Sequence, residues 1–143
     1  MREIKFRAWH RHSNKMYALS GFERIDDKVM TLNYLNDNEN YCSSTVLVEN
    51  IELMQYTGLK DKNGVEIYEG DILHLYGTDT MNKYDWKAVV EFGNPNGFYW
   101  WGFQLKPIVE FKYNTDILCW VGMEEANVYC EVIGNIHERG EKE

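Results

Sequence analysis

The sequence predicts a mainly β protein on three observations. Apolar and polar residues alternate with period two at the N-terminus, where Ile4, Phe6 and Ala8 interleave with Lys5, Arg7 and Trp9. Three turn signals fall within Gln55–Leu73, read as QYTGLKDKNGVEIYEGDIL, and separate short apolar runs. The composition, 44% hydrophobic and 15% aromatic over 143 residues, supplies enough large apolar surface to offset the entropy of ordering and excludes a disordered chain.

Taken in order, the first strand covers the alternating segment at Ile4–Trp9, and residues 10–15 (HRHSNK) read as a turn. Met16–Leu19 returns as the partner strand, closed by Gly21. Val29–Leu35 and Thr45–Met54 are further strands, flanking the loop Asn36–Asn40, where Asn and Asp side chains bond their own backbone. The N-terminal third is therefore a small β-meander.

From Gln55 the turn signals are Thr57-Gly58, Asp61–Gly64 and Glu69–Asp71. Asn63-Gly64 is the strongest, since both residues tolerate the positive φ of a tight hairpin turn. Ile72–Tyr76 and Trp86–Phe92 follow as strands, with a loop containing Gly77, Thr78 and Asp79 between them. Gly93–Gly97 is a turn, Phe98–Leu105 an aromatic strand and Cys130–Ile136 the last strand. Asp116–Gly122 reads equally as a short helix, capped by Asn114 or Thr115, or as a strand.

The aromatic strand is the candidate interface. Phe98, Trp100 and Gly102 share one face, and Tyr99, Trp101 and Phe103 the other. A strand with rings on both faces is expected to be covered on both, by the N-terminal lobe or by another subunit, which marks Tyr99, Trp100, Trp101 and Phe103 as core or candidate interface residues. A stacking platform for bases or sugars is the competing reading.

With 15 basic and 23 acidic residues the net charge is −8, which disfavours a polyphosphate partner. Arg2, Lys5, Arg7 and Arg11 crowd the N-terminus but read as a solvated strand face. Cys42, Cys119 and Cys130 show no CxxC spacing and are expected to be reduced thiols. MREIKFRAW has no apolar leader stretch. The longest apolar run, Ile117–Met123, is far short of the roughly 20 residues that span a bilayer. These features predict a cytoplasmic protein without a membrane segment.

No constellation marks catalysis, a metal or a cofactor. In the acidic run Asp61–Asp71 an EF-hand spacing fails, because Gly64 comes too early and Val65 takes a position that needs an oxygen ligand. His10 and His12 lie two apart in a turn and have no third ligand at a recognisable spacing. Asp71, Asp85, Glu91, Glu110 and Glu131 form no pair or triad marked by spacing. GxSxG, GxGxxG and GxxxxGK are all absent from the sequence.

Three blocks, MREIKFRAWHRHSNKMY, LMQYTGLKDKNGVEIYEGDIL and EVIGNIHE, together resemble the YopX family of phage and prophage proteins and stand in that family's order. The resemblance implies a β-dominated fold with a small SH3-like barrel in the C-terminal part, and an origin in a temperate phage of a Gram-positive bacterium or its prophage. It implies no activity, cofactor or catalytic residue. His10 stands where the family pattern has an acidic residue after the N-terminal tryptophan, which argues against an essential carboxylate there. The expected organisation is an N-terminal β-lobe over 1–54, an SH3-like barrel over 55–138 and a frayed tail over 139–143, or one continuous domain, with at most one short helix. The expected role is that of a non-enzymatic phage accessory protein, partnered by its own copy or by a phage or host protein. A barrel whose aromatics stack on single-stranded nucleic acid is the alternative, opposed by the charge.

Overall fold

Ten antiparallel strands account for most of the residues that the computed structural model describes, namely 3–78, 83–93, 102–108, 117, 120–121 and 127–138. The mainly β expectation holds, and the chain divides into two units, Met1–Tyr56 and Thr57–Glu143.

In the first unit, β1 (Phe6–His10), β2 (Lys15–Arg24), β3 (Val29–Leu35) and β4 (Tyr41–Leu47) form a meander, and β5 (Ile51–Lys60) returns along the free side of β1. The period-two pattern of the N-terminus places Ala8 inward, where it meets Met30, Leu32 and Ile51 in a small core flanked by Leu19, Tyr34 and Val46. The 10–15 turn is closed by Ser13, whose amide donates to His10 Nδ1 at 3.1 Å. In the Asn36–Asn40 loop, Asn36 Oδ1 accepts from the amides of Asn38 and Asn40, at 2.9 and 3.0 Å.

Two expectations need correction here. Gly21 does not end β2: the strand runs on to Arg24, and Gly21 sits at a shift in register against β3, since pairing passes from Leu19↔Tyr34 to Gly21↔Asn33. A glycine inside a strand is a common site for such a bulge. The run Thr45–Met54 is two strands broken by a 3-10 turn, Val48–Asn50. The backbone is diverted there because the Val48 amide donates to Lys28 O and the Arg11 amide to Asn50 O, at 2.9 and 2.8 Å.

In the second unit, β5 continues beside β6 (Glu66–Tyr68), and a four-stranded sheet runs in the order β10 (Val128–Asn135), β7 (Asp71–Thr78), β8 (Lys83–Gly93), β9 (Gly102–Pro107). Among the described residues this sheet is open. Its inner face carries Leu73, Leu75, Trp86, Ala88, Val90, Leu105, Val128 and Cys130, and Trp120 packs edge-on against Trp86 at 5.0 Å. Of the ambiguous Asp116–Gly122, only Ile117, Trp120 and Val121 are described. The last two donate their amides to Ile117 O at 3.1 Å, and all three join the core.

The turn-rich block builds this unit. Thr57-Gly58 is not a turn: it lies inside β5, where Gly58 takes φ 88° and Thr57 Oγ1 donates to Ile67 O at 2.8 Å and accepts the Leu59 amide. Asp61–Gly64 does turn the chain, though only Gly64 adopts positive φ (82°) and Asn63 does not. Asp61 is 6% exposed. One carboxylate oxygen accepts the amides of Asn63 and Val65 at 2.8 and 2.9 Å, and the other accepts the amide of Val132 in β10 at 2.9 Å. In the next turn buried Asp71 accepts the Tyr68 amide at 2.8 Å, and Gly70 links to Val90 O and the Ile136 amide. The Gly-Asp pair thus works as the sequence suggested, by fixing backbone at the entry to a strand.

Candidate functional site

Register across β10, β7 and β8 decides what stands on the outer face of the four-stranded sheet. Tyr129 pairs with Tyr76 and Glu131 with His74, while Tyr76 faces Asp85 and His74 faces Lys87 on β8. Since their neighbours Leu73, Leu75, Trp86, Val128 and Cys130 point into the core, alternation sends this polar and aromatic set outward. The rings of Tyr129, Tyr76 and His74 form a ladder across two strands, with centroid separations of 5.6 and 4.7 Å.

An ionic cluster holds the ladder in place. Lys62, in the Asp61–Gly64 turn, lies 3.2 Å from Glu131 Oε1, and the Tyr76 hydroxyl donates to that same oxygen at 3.0 Å. The ammonium also sits 5.4 and 5.3 Å from the ring centroids of Tyr76 and Tyr129. The Tyr76 hydroxyl and then the Glu131 carboxylate push the Lys62 pKa up. Lys62 and then Tyr76 push that of Glu131 down. Beyond the ladder, His74 Nε2 and Asp85 Oδ1 are hydrogen-bonded at 2.7 Å, beside a recess of about 290 Å³ bounded by Tyr76, Thr78, Lys83 and Tyr84.

These directions set a pH dependence. A carboxyl lowered on folding from its ordinary 4.5 contributes stability above that value and loses it as pH falls through the depressed one. A lysine raised from its ordinary 10.5 contributes below that value and loses it as pH rises through the elevated one. Glu131→Gln is therefore expected to flatten the acid side of the stability profile below about pH 4.5, leaving the neutral plateau only slightly lower. Denaturant titrations of both proteins at stepped pH read this directly.

Of the candidate interface residues singled out from sequence, the structure describes only Phe103. Tyr99, Trp100 and Trp101 lie outside the described residues. Phe103 pairs with Phe92 at the far end of β8, ring centroids 5.0 Å apart, and leans on the inner core. Register puts it on the same face as Leu105, opposite to the ring ladder. Of the cysteines, Cys130 is buried, Cys42 is half-buried and both are free thiols, while Cys119 lies outside the described residues. Among the described residues no group of three His, Cys, Asp or Glu side chains is placed to hold a metal ion, and no helix is long and apolar enough to cross a membrane.

Two antiparallel sheets, a structural turn block and an aromatic, charged outer face on the second sheet define a mainly β protein. The YopX protein family model matches residues 5–142, and the chain belongs to that family. Among solved structures it is similar to protein EF1440 from Enterococcus faecalis, at 23% identity with 99% of each chain covered and a TM-score of 0.53. It is also similar to protein yopX from Bacillus subtilis, at 21% identity over 96% of this chain and 95% of that one, again with a TM-score of 0.53. At these identities the likeness speaks for the fold. No curated protein matches the chain.

Proposed function

We propose that this chain is a phage or prophage accessory protein of the bacterial cytoplasm that works through protein contacts, including contacts with its own copy, rather than through catalysis. The observation that carries the reading is the ladder of half-buried rings, Tyr129, Tyr76 and His74, fixed on a rigid sheet by the Lys62–Glu131 pair. Rings already held in place offer contact area at little ordering cost, which is why tyrosine is enriched where binding energy concentrates. The charges support the same reading. A general acid or base works best with a pKa near the working pH, whereas Lys62 is shifted up and Glu131 down, both away from neutrality. Tyr99, Trp100 and Trp101 are proposed as a second contact element on the strength of their aromatic run. The second unit is proposed to form a small SH3-like barrel, which the return of β10 beside β7, the first strand of its sheet, supports.

Affinity capture from prophage-carrying cells tests the contact reading. A protein retained by the wild type and lost with Tyr129→Ser is the expected result, and an identical retained set for both proteins would sink it. The same ladder also favours a second reading, stacking on single-stranded bases, with Lys83 and Lys87 on the same strand face. The net charge of −8 opposes it. A salt titration against single-stranded DNA and RNA separates the two readings, because phosphate contacts weaken steeply as salt rises. Absence of binding at low salt removes the nucleic-acid reading.

A further inference from the structure

The sheet of the first unit ends on β4, which among the described residues pairs only with β3. Among the described residues this edge lacks charge, proline and bulge, the usual means by which a strand itself blunts an open edge. Its seven residues, YCSSTVL, include no charge and no proline, and their register against β3 runs unshifted from Val29↔Leu47 to Leu35↔Tyr41, without a bulge. Its two large outward side chains stand at its ends, Tyr41 83% and Leu47 46% exposed.

We propose that β4 is an interface between two copies of this chain, joined edge to edge as antiparallel strands about a two-fold axis at Ser44. The strand is self-complementary in that register. Tyr41 falls opposite Leu47 of the second copy, Cys42 opposite Val46, and Ser43 opposite Thr45. Aromatic therefore meets aliphatic at both ends, hydroxyl meets hydroxyl between them, and the two-fold repeats each pair. Charge within the strand does not bar that occupant. Each copy carries a net −8, so two copies repel wherever acids face each other, and β4 brings no like charges opposite. The inference gives self-association a surface of its own and does not rest on the ring ladder of the second unit.

Sedimentation of the full chain over a dilution series, with amide exchange measured alongside, tests it. The wild type is expected to reach dimer mass, with protection over Tyr41–Leu47 that fades as the dimer dissociates on dilution. Y41K/L47K, which sets lysine opposite lysine across the two-fold, is expected to sediment as a monomer with an unchanged far-ultraviolet spectrum, and so is Y41E/L47E with its opposed carboxylates. An equal mixture of the two variants restores the dimer, because each introduced lysine then stands opposite an introduced carboxylate. A wild type that stays monomeric at every concentration overturns the proposal and points to a strand of a different protein as the occupant. A persistent Y41K/L47K dimer overturns it as well. Should either variant fail to fold, concentration-dependent protection of β4 in the wild type still decides, and its absence counts against the dimer.

Discussion

Gly77→Ala is expected to destabilise the protein by about 3–5 kcal/mol, the sum of backbone strain and steric overlap. Gly77 sits in the middle strand of the outer-face site, paired with Val128 on one side and Tyr84 on the other. Its φ is +143°, a conformation that side chains disfavour, and a Cβ there would fall onto the Asn127 carbonyl oxygen and lie 2.9 Å from Val128 Cα. Neither neighbour can withdraw easily, because Asn127 is itself in the left-handed region at φ 61° and its oxygen accepts the Thr78 amide at 3.1 Å. Gly64→Ala is the natural control. That residue also has positive φ, at +82°, but open space around it, so only strain of roughly 1–2 kcal/mol is expected. Equal losses for the two variants in denaturant titrations would show that the close approach of β10 to β7 is not what requires Gly77.

The second large effect belongs to Asp61. Asp61→Ala removes the acceptor for three amides at once, two in its own turn and one in β10. Hydrogen bonds to charged acceptors are worth about 1.5–3 kcal/mol each, and they are not additive. The Asn63 and Val65 amides lie in an exposed turn that water can reach, so the expected total is about 3–4 kcal/mol rather than the full sum. Asp61→Asn separates the contributions. It keeps an oxygen for the turn but presents an amide group to the Val132 N–H, and roughly half the loss is expected. Amide exchange at Val132 reports that link on its own. If Val132 stays fully protected in Asp61→Ala, Asp61 does not fasten the turn to β10.

Much of the fold was legible because its signals are local. Alternation located β1, apolar runs located β3, β7 and β8, and the Gly70-Asp71 pair was read correctly as a device that fixes backbone. Two of the errors share one cause, which is that glycine serves both turns and bulges. Gly21 and Gly58 both lie within strands, and only tertiary pairing distinguishes that use from a stop. The outer-face site was not legible, because its members are far apart in sequence: Tyr76 and Glu131 are separated by 55 positions, and His74 and Asp85 by 11. Their meeting depends on the register of β10 against β7, and a slip of β10 by one residue would turn Tyr129 and Glu131 inward. A partial signal did exist. His74 and Tyr76 alternate with Leu73 and Leu75, as Tyr129 and Glu131 do with Val128, Cys130 and Val132, so each strand announced an outer face without naming its neighbour.

The claim that this outer face is a contact surface is tested most directly by a photo-activated crosslinking side chain placed at Lys87, which is exposed and faces His74 across β7 and β8. The same side chain at exposed Glu23 of β2 serves as the control. After irradiation in prophage-carrying cells, a covalent adduct to protein is expected from position 87 and none from position 23. Adducts to nucleic acid at position 87, or no adduct there at all, would contradict the account.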